Sequence, residues 1–382
     1  MPERSCQAKR GTRAASIPFF NLRAGCIVKL GIFLPNWIGD VVMATPTLRA
    51  LRNHFGRQSR LVGIMRPYVA EVLAGTTWLD DQIFCNPSSQ DPQLRGWRFW
   101  RRLRQEKFDV AILMTNSLRT AFWSRISGAP ERVGYARDMR SFLLTHSLKQ
   151  AMIGRKPAPA PTLDLYLELA YAVGCPIESP RMELVTLPQD EAAADRVWRA
   201  LEIGPQPVVV LNSGTALGAS RNWPAEYFGE LGRRIATDWG YKVLVICGPN
   251  ERAIARQIVG HAADERVVSL ADPRLGENFP LPIGLSKACV RRSQLMVSTD
   301  SGPRHFAPAF NVPVVTLFGP TPISLGETHF SKAIHLALEV DCGPCLQREC
   351  PLGHHRCMRD LSVDQVYRAV QVQLQSQRGQ AA

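Results

Sequence analysis

The chain has 382 residues, of which 45% are hydrophobic and 21% charged, a composition typical of a folded globular protein with room for two domains. Its 46 basic and 33 acidic residues give a formal net charge of +13, which favours an anionic partner such as nucleic acid, a membrane surface or a phosphorylated substrate. No zinc-finger spacing, RNA-binding signature or long basic helix supports nucleic acid, so we exclude that class. No apolar run approaches the roughly 20 residues that span a bilayer.

The first half of the chain alternates short apolar runs with helical patterns. The first 25 residues are basic and small without a long apolar core, so residues 1–25 are expected to be a disordered or non-native extension. Strands are then predicted at 26–34, 60–65, 82–85 and 109–114, with helices at 41–55, 98–105 and 117–127. Strands that alternate with helices indicate a parallel sheet covered on both faces.

The alternation restarts after a connector at 154–161 and a helix at 162–173. Helices are predicted at 189–201, 224–238, 251–263, 283–291 and 303–310, and strands at 208–211, 242–247, 267–270, 294–298 and 312–318. The sequence therefore predicts an α/β protein with two Rossmann-like domains, at 26–180 and 185–340. A Cys-rich loop follows at 341–360, and then a helix at 361–376 that a capping box of Ser362 and Gln365 opens.

Ligands of such sheets bind at the carboxyl ends of the strands, and two facing domains place them in the cleft. Polar residues that directly follow predicted strands are therefore the candidates for a site. These segments are 36–40, 116, 213–221, 248–251, 300–305 and 319–321.

The segment from Asp300 to His305 is the most informative of these candidates, because it reads as strand, tight turn and helix start. A helix N-terminus offers unpaired N–H groups to a diphosphate, Gly302 permits close approach of a ligand, and Pro303 suits the first turn. His305 is either a donor to phosphate or a half-buried structural histidine. An ordinary strand-to-helix loop is the alternative for the whole segment.

Two further residues have a chemical and a structural interpretation. Asp40 follows the first strand, where a carboxylate is either a general base facing the cleft or a helix-start aspartate stabilised by the helix dipole. Arg221 lies in a polar, glycine-containing loop and either binds phosphate or sugar oxygens or is simply solvated. The first strand is not followed by a Gly-x-Gly-x-x-Gly motif, which argues against an ordinary dinucleotide dehydrogenase.

Four of the ten cysteines form a cluster near the C-terminus, at Cys342, Cys345, Cys350 and Cys357. Their spacing is compatible with a structural zinc or iron–sulfur site, and also with four free loop thiols or a disulfide-prone knot. We assign the cluster no catalytic role.

The order of several motifs resembles glycosyltransferase family 9 over about residues 27 to 375. The matching segments are Pro35-Asn36-Trp37-Ile38-Gly39-Asp40, Asn116-Ser117, Arg132-Val133-Gly134-Tyr135, Gly214 with Arg221-Asn222-Trp223-Pro224, Asp300-Ser301-Gly302-Pro303-Arg304-His305, and Leu317-Phe318-Gly319-Pro320-Thr321. Each motif is weak alone, and their joint order is specific. The family's usual residue at position 221 is lysine. Arg221 therefore keeps the positive charge, but its side chain has a different length.

The resemblance implies a two-domain GT-B fold whose last helix crosses back onto the first domain. It implies inverting, metal-independent transfer of L-glycero-D-manno-heptose from its ADP derivative to the lipopolysaccharide inner core, with Asp40 as general base. The implied donor-binding residues are Thr215, Arg221, Glu251, Asp300, Ser301, Gly302 and His305. Asn36 and Gly39, with the basic residues Arg119, Arg132 and Arg140, are the candidates for binding the acceptor.

The resemblance further implies a cytoplasmic protein, peripheral at the inner membrane, that needs no cofactor for catalysis and acts as a monomer. Three alternatives stay open on the sequence. They are a GT-B transferase for another nucleotide sugar or acceptor, a sugar-nucleotide epimerase, and a non-catalytic ADP-sugar-binding protein.

Overall fold

The computed structural model describes residues 27–154, 156–214 and 218–381, in which two six-stranded parallel sheets dominate. Thr215 and the predicted extension at 1–25 lie outside the described residues. The first sheet has the order β3-β2-β1-β4-β5-β6. Its strands are β1 Lys29–Phe33, β2 Arg60–Met65, β3 Asp81–Phe84, β4 Val110–Leu113, β5 Glu131–Tyr135 and β6 His146–Leu148.

In the described part of the chain six helices surround the first sheet, because its central strands β1, β2 and β4 are apolar on both faces and must be covered on both. They are α1 Ile38–Met43, α2 Thr45–Phe55, α3 Pro67–Leu73, α4 Gly96–Gln105, α5 Leu118–Ile126 and α6 Thr162–Ala172. A core that includes Phe33, Phe99 and Trp123 lies beneath α4 and α5 on one face. A two-stranded hairpin, β7 Met152–Ile153 and β8 Lys156–Pro157, precedes α6.

The second sheet repeats the same strand order, as β11-β10-β9-β12-β13-β14, and all its pairs are parallel. Its strands are β9 Val208–Asn212, β10 Lys242–Ile246, β11 Val267–Ser269, β12 Leu295–Thr299, β13 Val314–Phe318 and β14 Ala333–Ala337. The helices are α7 Pro188–Ala200, α8 Ala225–Trp239, α9 Arg252–Ala262, α10 Ile283–Arg291, α11 Phe306–Ala309, α12 Ile323–Gly326, α13 Arg356–Arg359 and α14 Val363–Ala381.

The predicted α/β class is confirmed. The hairpin strands β7 and β8 were not predicted, and neither were three strands of the two large sheets. These are β5, β6 and β14, which are short or polar and lie toward the edge of their sheets, where apolar patterning is weakest. The helix predicted at 41–55 is two helices that meet at Ala44. The helix predicted at 303–310 is a 3₁₀ turn, Gly302–His305, followed by the four-residue α11, which Pro308 and the left-handed Asn311 terminate.

The family resemblance implied that the last helix crosses back onto the first domain. In the structure this helix, α14, instead packs against α8, β12 and β13 of the second half. Its buried residues Val366, Val370 and Leu374 recur every fourth position and form one face toward that sheet. The hydroxyl of Tyr367 donates to Asp238 at 2.5 Å on the second half as well. The capping box is present as predicted, with Ser362 N donating to Gln365 Oε1 at 2.9 Å and Gln365 N to Ser362 Oγ at 3.3 Å.

The two halves touch through α1 and the turn Gly302–His305, and through α3 and α10. At the second contact the buried Lys287 ammonium donates to the carbonyls of Glu71 at 3.1 Å and Val185 at 2.8 Å, and also to those of Val72 and Ala74 at the end of α3. A cation there satisfies the unpaired carbonyls of a helix C-terminus. Within the described residues, no helix combines the length and the apolar character that crossing a membrane requires.

Candidate active site

The candidate site residues collect at the topological switch point of each sheet, where ligands of doubly wound sheets bind. In the first sheet this point lies between β1 and β4, and the turn after β1 carries Asn36 to Asp40. In the second sheet it lies between β9 and β12, which are followed by Ser213 and by Asp300. The equal strand orders of the two sheets therefore produce two equivalent crevices.

Asp40 lies in the first turn of α1, and its environment favours the protonated carboxyl. Burial, opposed by the Tyr166 hydroxyl and assisted by the charge of Asp300, raises the pKa of Asp40 from its ordinary value of 3.8 to about 6. That hydroxyl approaches Asp40 Oδ1 at 3.4 Å, and burial raises the pKa of Tyr166 well above 10, so it stays a donor. A carboxyl whose pKa lies near neutrality has the property of a general base.

The switch points of the two sheets approach each other at Gly39 and Gly302. A β-carbon added to Gly39 would lie 2.8 Å from His305 Cδ2 and 3.0 Å from Gly302 Cα, distances that a side chain does not tolerate. Gly39 and Gly302 therefore allow α1 and the turn at 302–305 to come into backbone contact. The contact places Asp40 beside the Asp300–His305 segment, which the sequence predicted as a diphosphate-binding turn.

Asp300 holds two arginines in place. Its Oδ2 forms an ion pair with Arg221 Nη1 at 3.1 Å, and its Oδ1 lies 3.3 Å from Arg304 Nε. Arg221 Nη1 also donates to the carbonyl of Asp300 at 3.1 Å. Arg304 is almost fully buried, donates to the carbonyl of Gly326 at 2.6 Å and stacks over Phe318, so Arg221 is the more accessible of the two cations.

Ser301 is joined to the other strand end of the second crevice. Asn212 Nδ2 donates to Ser301 Oγ at 2.7 Å and to Ser298 Oγ at 2.9 Å. Gly214 has a positive φ of 43°, and a β-carbon there would lie 2.4 Å from Ser301 Oγ. Glycine is therefore required for the loop after β9 to lie against the Asp300–His305 turn.

Several buried polar atoms around this crevice have no hydrogen-bond partner among the described residues. They include Ser213 Oγ, Asn222 Oδ1, His305 Nδ1 and Thr321 Oγ1. Burial lowers the pKa of His305 well below its ordinary value, so the ring is neutral and acts as a dipolar donor or acceptor, not a cation. Since buried polar groups are normally satisfied, a cluster of unsatisfied ones at strand ends fits a polar ligand.

Glu251 lies farther along the same edge and has a structural bond. Its Oε2 accepts from the backbone N–H of Gly248 at 2.8 Å, which closes the turn between β10 and α9. The predicted role of Glu251 beside the donor stays a prediction. Thr215 lies outside the described residues, so its predicted contact with the diphosphate stays a prediction as well.

The mouth of the first crevice combines one predicted residue with two that the sequence reasoning missed. Asn36 accepts from Arg66 Nε at 3.2 Å through its side chain and from the Tyr68 hydroxyl through its carbonyl. Arg66 directly follows β2, so the strand-end criterion could have selected it. Tyr166 had no sequence signal, because it has the appearance of an ordinary residue of an amphipathic helix, whereas Arg304 lies within the predicted Asp300–His305 segment but was given no role of its own.

Two of the three predicted acceptor arginines have structural hydrogen bonds, and the predicted acceptor-binding role of all three stays a prediction. Arg140 is completely buried, and its guanidinium donates to the carbonyls of Tyr135 and Thr115 and to Asn116 Oδ1. Burial lowers the pKa of Arg140 to about 10. The guanidinium of Arg132 donates to the carbonyls at 129, 130 and 143 and so closes a loop. Arg119 is exposed on α5.

The cysteine cluster supports the turn that carries Arg221. The four thiols are free and line one small pocket together with His354. Backbone N–H groups, that of His355 first, lower the pKa of Cys350. The adjoining backbone accepts from Ser220, whose N–H reaches the carbonyl of Arg348 at 3.2 Å and whose Oγ reaches that of Gln347 at 2.6 Å.

The metal interpretation of the cluster stays a prediction. In the part of the chain that the structure describes, no three or more His, Cys, Asp or Glu side chains are arranged to hold a metal ion. The hydrogen bonds from Ser220 to the backbone of the loop hold the 3₁₀ turn Ala219–Arg221 from one side.

A cavity of about 820 Å³ also lies between the halves, and none of these residues lines it. Its walls come from 75–78, 179–185, 308–311 and 328–331. The site described above is therefore defined by chemistry and by the contact at Gly39, and not by the size of this cavity.

Comparison with known proteins shows the family of the chain and its fold. Residues 96–356, about two thirds of the chain, match the sequence profile of glycosyltransferase family 9 (heptosyltransferase). Lipooligosaccharide heptosyltransferase 2 of Campylobacter jejuni is 22% identical over 351 residues, covering 89% of this chain and 96% of the relative. Lipopolysaccharide heptosyltransferase 2 of Escherichia coli K12 is 21% identical with the same coverage.

The solved structure of E. coli ADP-heptose LPS heptosyltransferase II superimposes with a TM-score of 0.72 at 20% identity, over 92% of this chain and 99% of that one. The two sheets and their crevices thus form a GT-B fold, as the sequence resemblance implied. The chain belongs to glycosyltransferase family 9, and it is a glycosyltransferase.

Proposed function

We propose that this enzyme transfers heptose from ADP-L-glycero-D-manno-heptose to the heptose/Kdo inner core of lipopolysaccharide, as a heptosyltransferase II-like transferase. The observation that carries the proposal is the contact at Gly39, which sets the Asp40 carboxyl beside the Asp300–His305 turn. The donor and the acceptor would then meet where the two switch points meet. The names of the relatives support ADP-heptose as donor and lipopolysaccharide as acceptor, and the sequence resemblance supports the L-glycero-D-manno form and the heptose/Kdo inner core.

The reaction that fits this geometry is inverting displacement at the anomeric carbon. The Asp40 carboxylate accepts the proton of the acceptor hydroxyl while the hydroxyl oxygen forms its bond to the anomeric carbon. The bond from that carbon to the diphosphate oxygen breaks, ADP leaves, and the proton on Asp40 passes to solvent. The proposed attack comes from the face of the sugar opposite the leaving group, and such an attack inverts the configuration at the anomeric carbon.

The leaving diphosphate needs stabilisation, and the second crevice supplies fixed donors. Arg221 provides a charged fork, and its pairing with Asp300 fixes the orientation of that fork before the ligand binds. Ser213, His305 and Thr321 contribute polar atoms that lack other partners in the described chain. These donors make transfer without a divalent ion chemically adequate, and metal independence is part of the proposal.

Binding requires the halves to separate. Gly39 and Gly302 leave no room for a sugar between their backbones, so the ligands enter when α1 moves away from the turn at 302–305. Closure on bound substrates then excludes water from the donor, which limits its hydrolysis. We place the enzyme in the cytoplasm as a monomer against the inner membrane, and its charge of +13 supports an anionic neighbour.

The decisive experiment is a transfer assay with purified protein, ADP-heptose and a heptose-bearing core acceptor, read by mass spectrometry. The proposal expects one heptose increment, with ADP as coproduct, in buffer that contains EDTA. Matched reactions contain ADP-glucose as donor or an acceptor without heptose. Use of ADP-glucose with no heptose transfer would reject the proposed donor, and interconversion of the free nucleotide sugar would indicate an epimerase.

A further inference from the structure

The outer surface of α4 and α5 exposes aromatic residues that a globular protein normally buries. Trp97 is 62% exposed, and Trp100 and Phe122 are exposed as well. The rings of Trp100 and Phe122 meet edge to face with their centroids 5.8 Å apart, which joins the two helices into one surface. Leu118 extends it along α5, toward the site edge of the sheet.

The neighbouring turn enlarges this surface. The 3₁₀ turn Ser141–Leu143 packs against α5 and carries Phe142, which is 78% exposed. A contiguous set of exposed large apolar side chains is typical of an interaction site. We call the exposed groups of α4, α5 and this turn the aromatic face; its members are Trp97, Trp100, Arg101, Arg104, Leu118, Arg119, Phe122, Arg125 and Phe142.

The charges within the aromatic face have a single sign. Trp97, Trp100, Arg101 and Arg104 recur at helical spacing, so two arginines lie on the same side of α4 as the two indoles. On α5, Arg119 and Arg125 flank Phe122. Neither helix contains Asp or Glu, and Glu106, just after α4, is paired with Lys29 at 2.6 Å.

The aromatic face is rigidly held from below. Phe99 and Leu103 of α4 are completely buried, and the ring of Phe99 packs edge to face on Trp123 of α5 at 5.0 Å. The exposed indoles and arginines are therefore presented by a fixed scaffold, and their exposure does not follow from a loose helix. An energetic reason for such exposure is a partner that accepts indole rings and cations together.

We infer that the aromatic face docks on the surface of a bilayer that contains anionic lipid. Indole rings prefer the headgroup level of a membrane, and arginines bind anionic headgroups, so the two residue types match the two parts of one interface. The inference rests on the proposed function in one respect: an acceptor carried by a lipid gives this enzyme a reason to lie on a membrane. Since α5 begins at the site edge of the first sheet, docking brings the acceptor half toward the lipid.

The test is cosedimentation of the full chain with vesicles of phosphatidylcholine alone or with 30% phosphatidylglycerol. We expect strong binding to the anionic vesicles, weak binding to the neutral ones, and a blue shift of tryptophan emission. The variant Arg101→Gln/Arg104→Gln should bind about 25-fold more weakly, since each arginine near an anionic surface contributes about fivefold. Trp97→Gln should lose affinity and much of the blue shift.

The matched control is Arg233→Gln/Arg359→Gln, which removes the same charge from exposed positions on the second half. Equal losses in the two double variants would show a nonspecific charge effect and overturn the inference. Binding of wild type to neutral vesicles as strong as to anionic ones would overturn it too. A third result would also overturn the inference: Trp97→Gln loses a self-associated species on gel filtration while its vesicle binding stays unchanged. The aromatic face would then bind a second copy of the chain.

Binding and transfer are measured separately. With a soluble core oligosaccharide as acceptor, the Arg101→Gln/Arg104→Gln variant should keep the wild-type transfer rate, and with acceptor embedded in anionic vesicles it should be slower. Vesicle binding without any heptose transfer would reject the proposed function and leave the docking surface standing. Transfer without vesicle binding would do the reverse.

Discussion

Replacement of Asp40 by Asn should change activity and stability in opposite directions. The variant removes the proposed base, so we expect kcat to fall by about 10²- to 10⁴-fold, while donor binding is kept. It also removes a carboxylate that the fold desolvates, so the variant should be more stable than wild type at neutral pH. The second effect is a direct consequence of the raised pKa and does not depend on the identity of the substrate.

The size of the stability effect follows from the pKa. A rise from 3.8 to about 6 corresponds to about 3 kcal/mol, since a tenfold change in proton affinity is about 1.4 kcal/mol. Asp40 keeps part of its surface accessible, and solvent screening reduces the effect, so we expect about 1 to 2 kcal/mol.

The pH dependence has a definite sign. A carboxyl whose pKa is higher in the folded state holds its proton longer there, so folding loses stability as the pH rises from about 4 to about 6. Above that window the loss is complete, and below it the loss vanishes. The advantage of Asp40→Asn over wild type should therefore be small at pH 4 and maximal above pH 6.5.

Urea unfolding of both proteins at pH 4, 5, 6, 7 and 8 measures this difference, and the acid limb of kcat/KM measures the same pKa in the free enzyme. Tyr166→Phe is the matched perturbation: it removes the hydroxyl that opposes the shift, so the acid limb should move to higher pH. A stability difference that is equal at pH 4 and pH 8 would refute the ionisation argument. Turnover of Asp40→Asn near the wild-type rate would reject Asp40 as the base.

The remaining predictions test the contacts around the site. Gly39→Ala should lower kcat/KM by about 10- to 100-fold, because the new methyl group holds α1 away from His305. The control Gly260→Ala adds a methyl group that meets nothing within 4 Å and should leave activity unchanged. Equal activities of the two variants would show that closure does not need the contact at Gly39. Arg221→Gln should raise the KM for the donor about 10- to 100-fold and Arg221→Lys less, and an unchanged KM in both would remove Arg221 from the donor site. Lys287→Met should destabilise the protein by about 2 to 4 kcal/mol, since it leaves the carbonyls of α3 unpaired, while Lys149→Met at an exposed position should change the stability by no more than about 0.5 kcal/mol. Similar unfolding midpoints for the two variants would show that the contacts of Lys287 between the two halves do not stabilise the protein. If the cysteine cluster holds a structural metal, reductively purified protein should contain a stoichiometric ion that Cys345→Ser loses, and protein without metal in both forms would reject that interpretation.

The sequence by itself determined the α/β class and where the polar turns lie along the chain. Apolar runs of strand length alternate with amphipathic helices, and this pattern alone requires parallel sheets covered on both faces. Because parallel strands end at one edge, Asp40, Ser213 and Asp300 could be selected as strand-end residues before any coordinates. The capping box at Ser362 was equally readable, since it is a local hydrogen-bond pattern.

Only the tertiary structure decided what those residues do. The pKa of Asp40 depends on burial and on Tyr166, a residue 126 positions away, and no local pattern encodes that distance. Arg140 has the sequence appearance of a solvated cation, yet it is completely buried among carbonyls. Local sequence specifies backbone conformation and apolar faces, whereas desolvation and pairing of charges depend on which chain segments pack together, and that is settled only when both sheets are assembled.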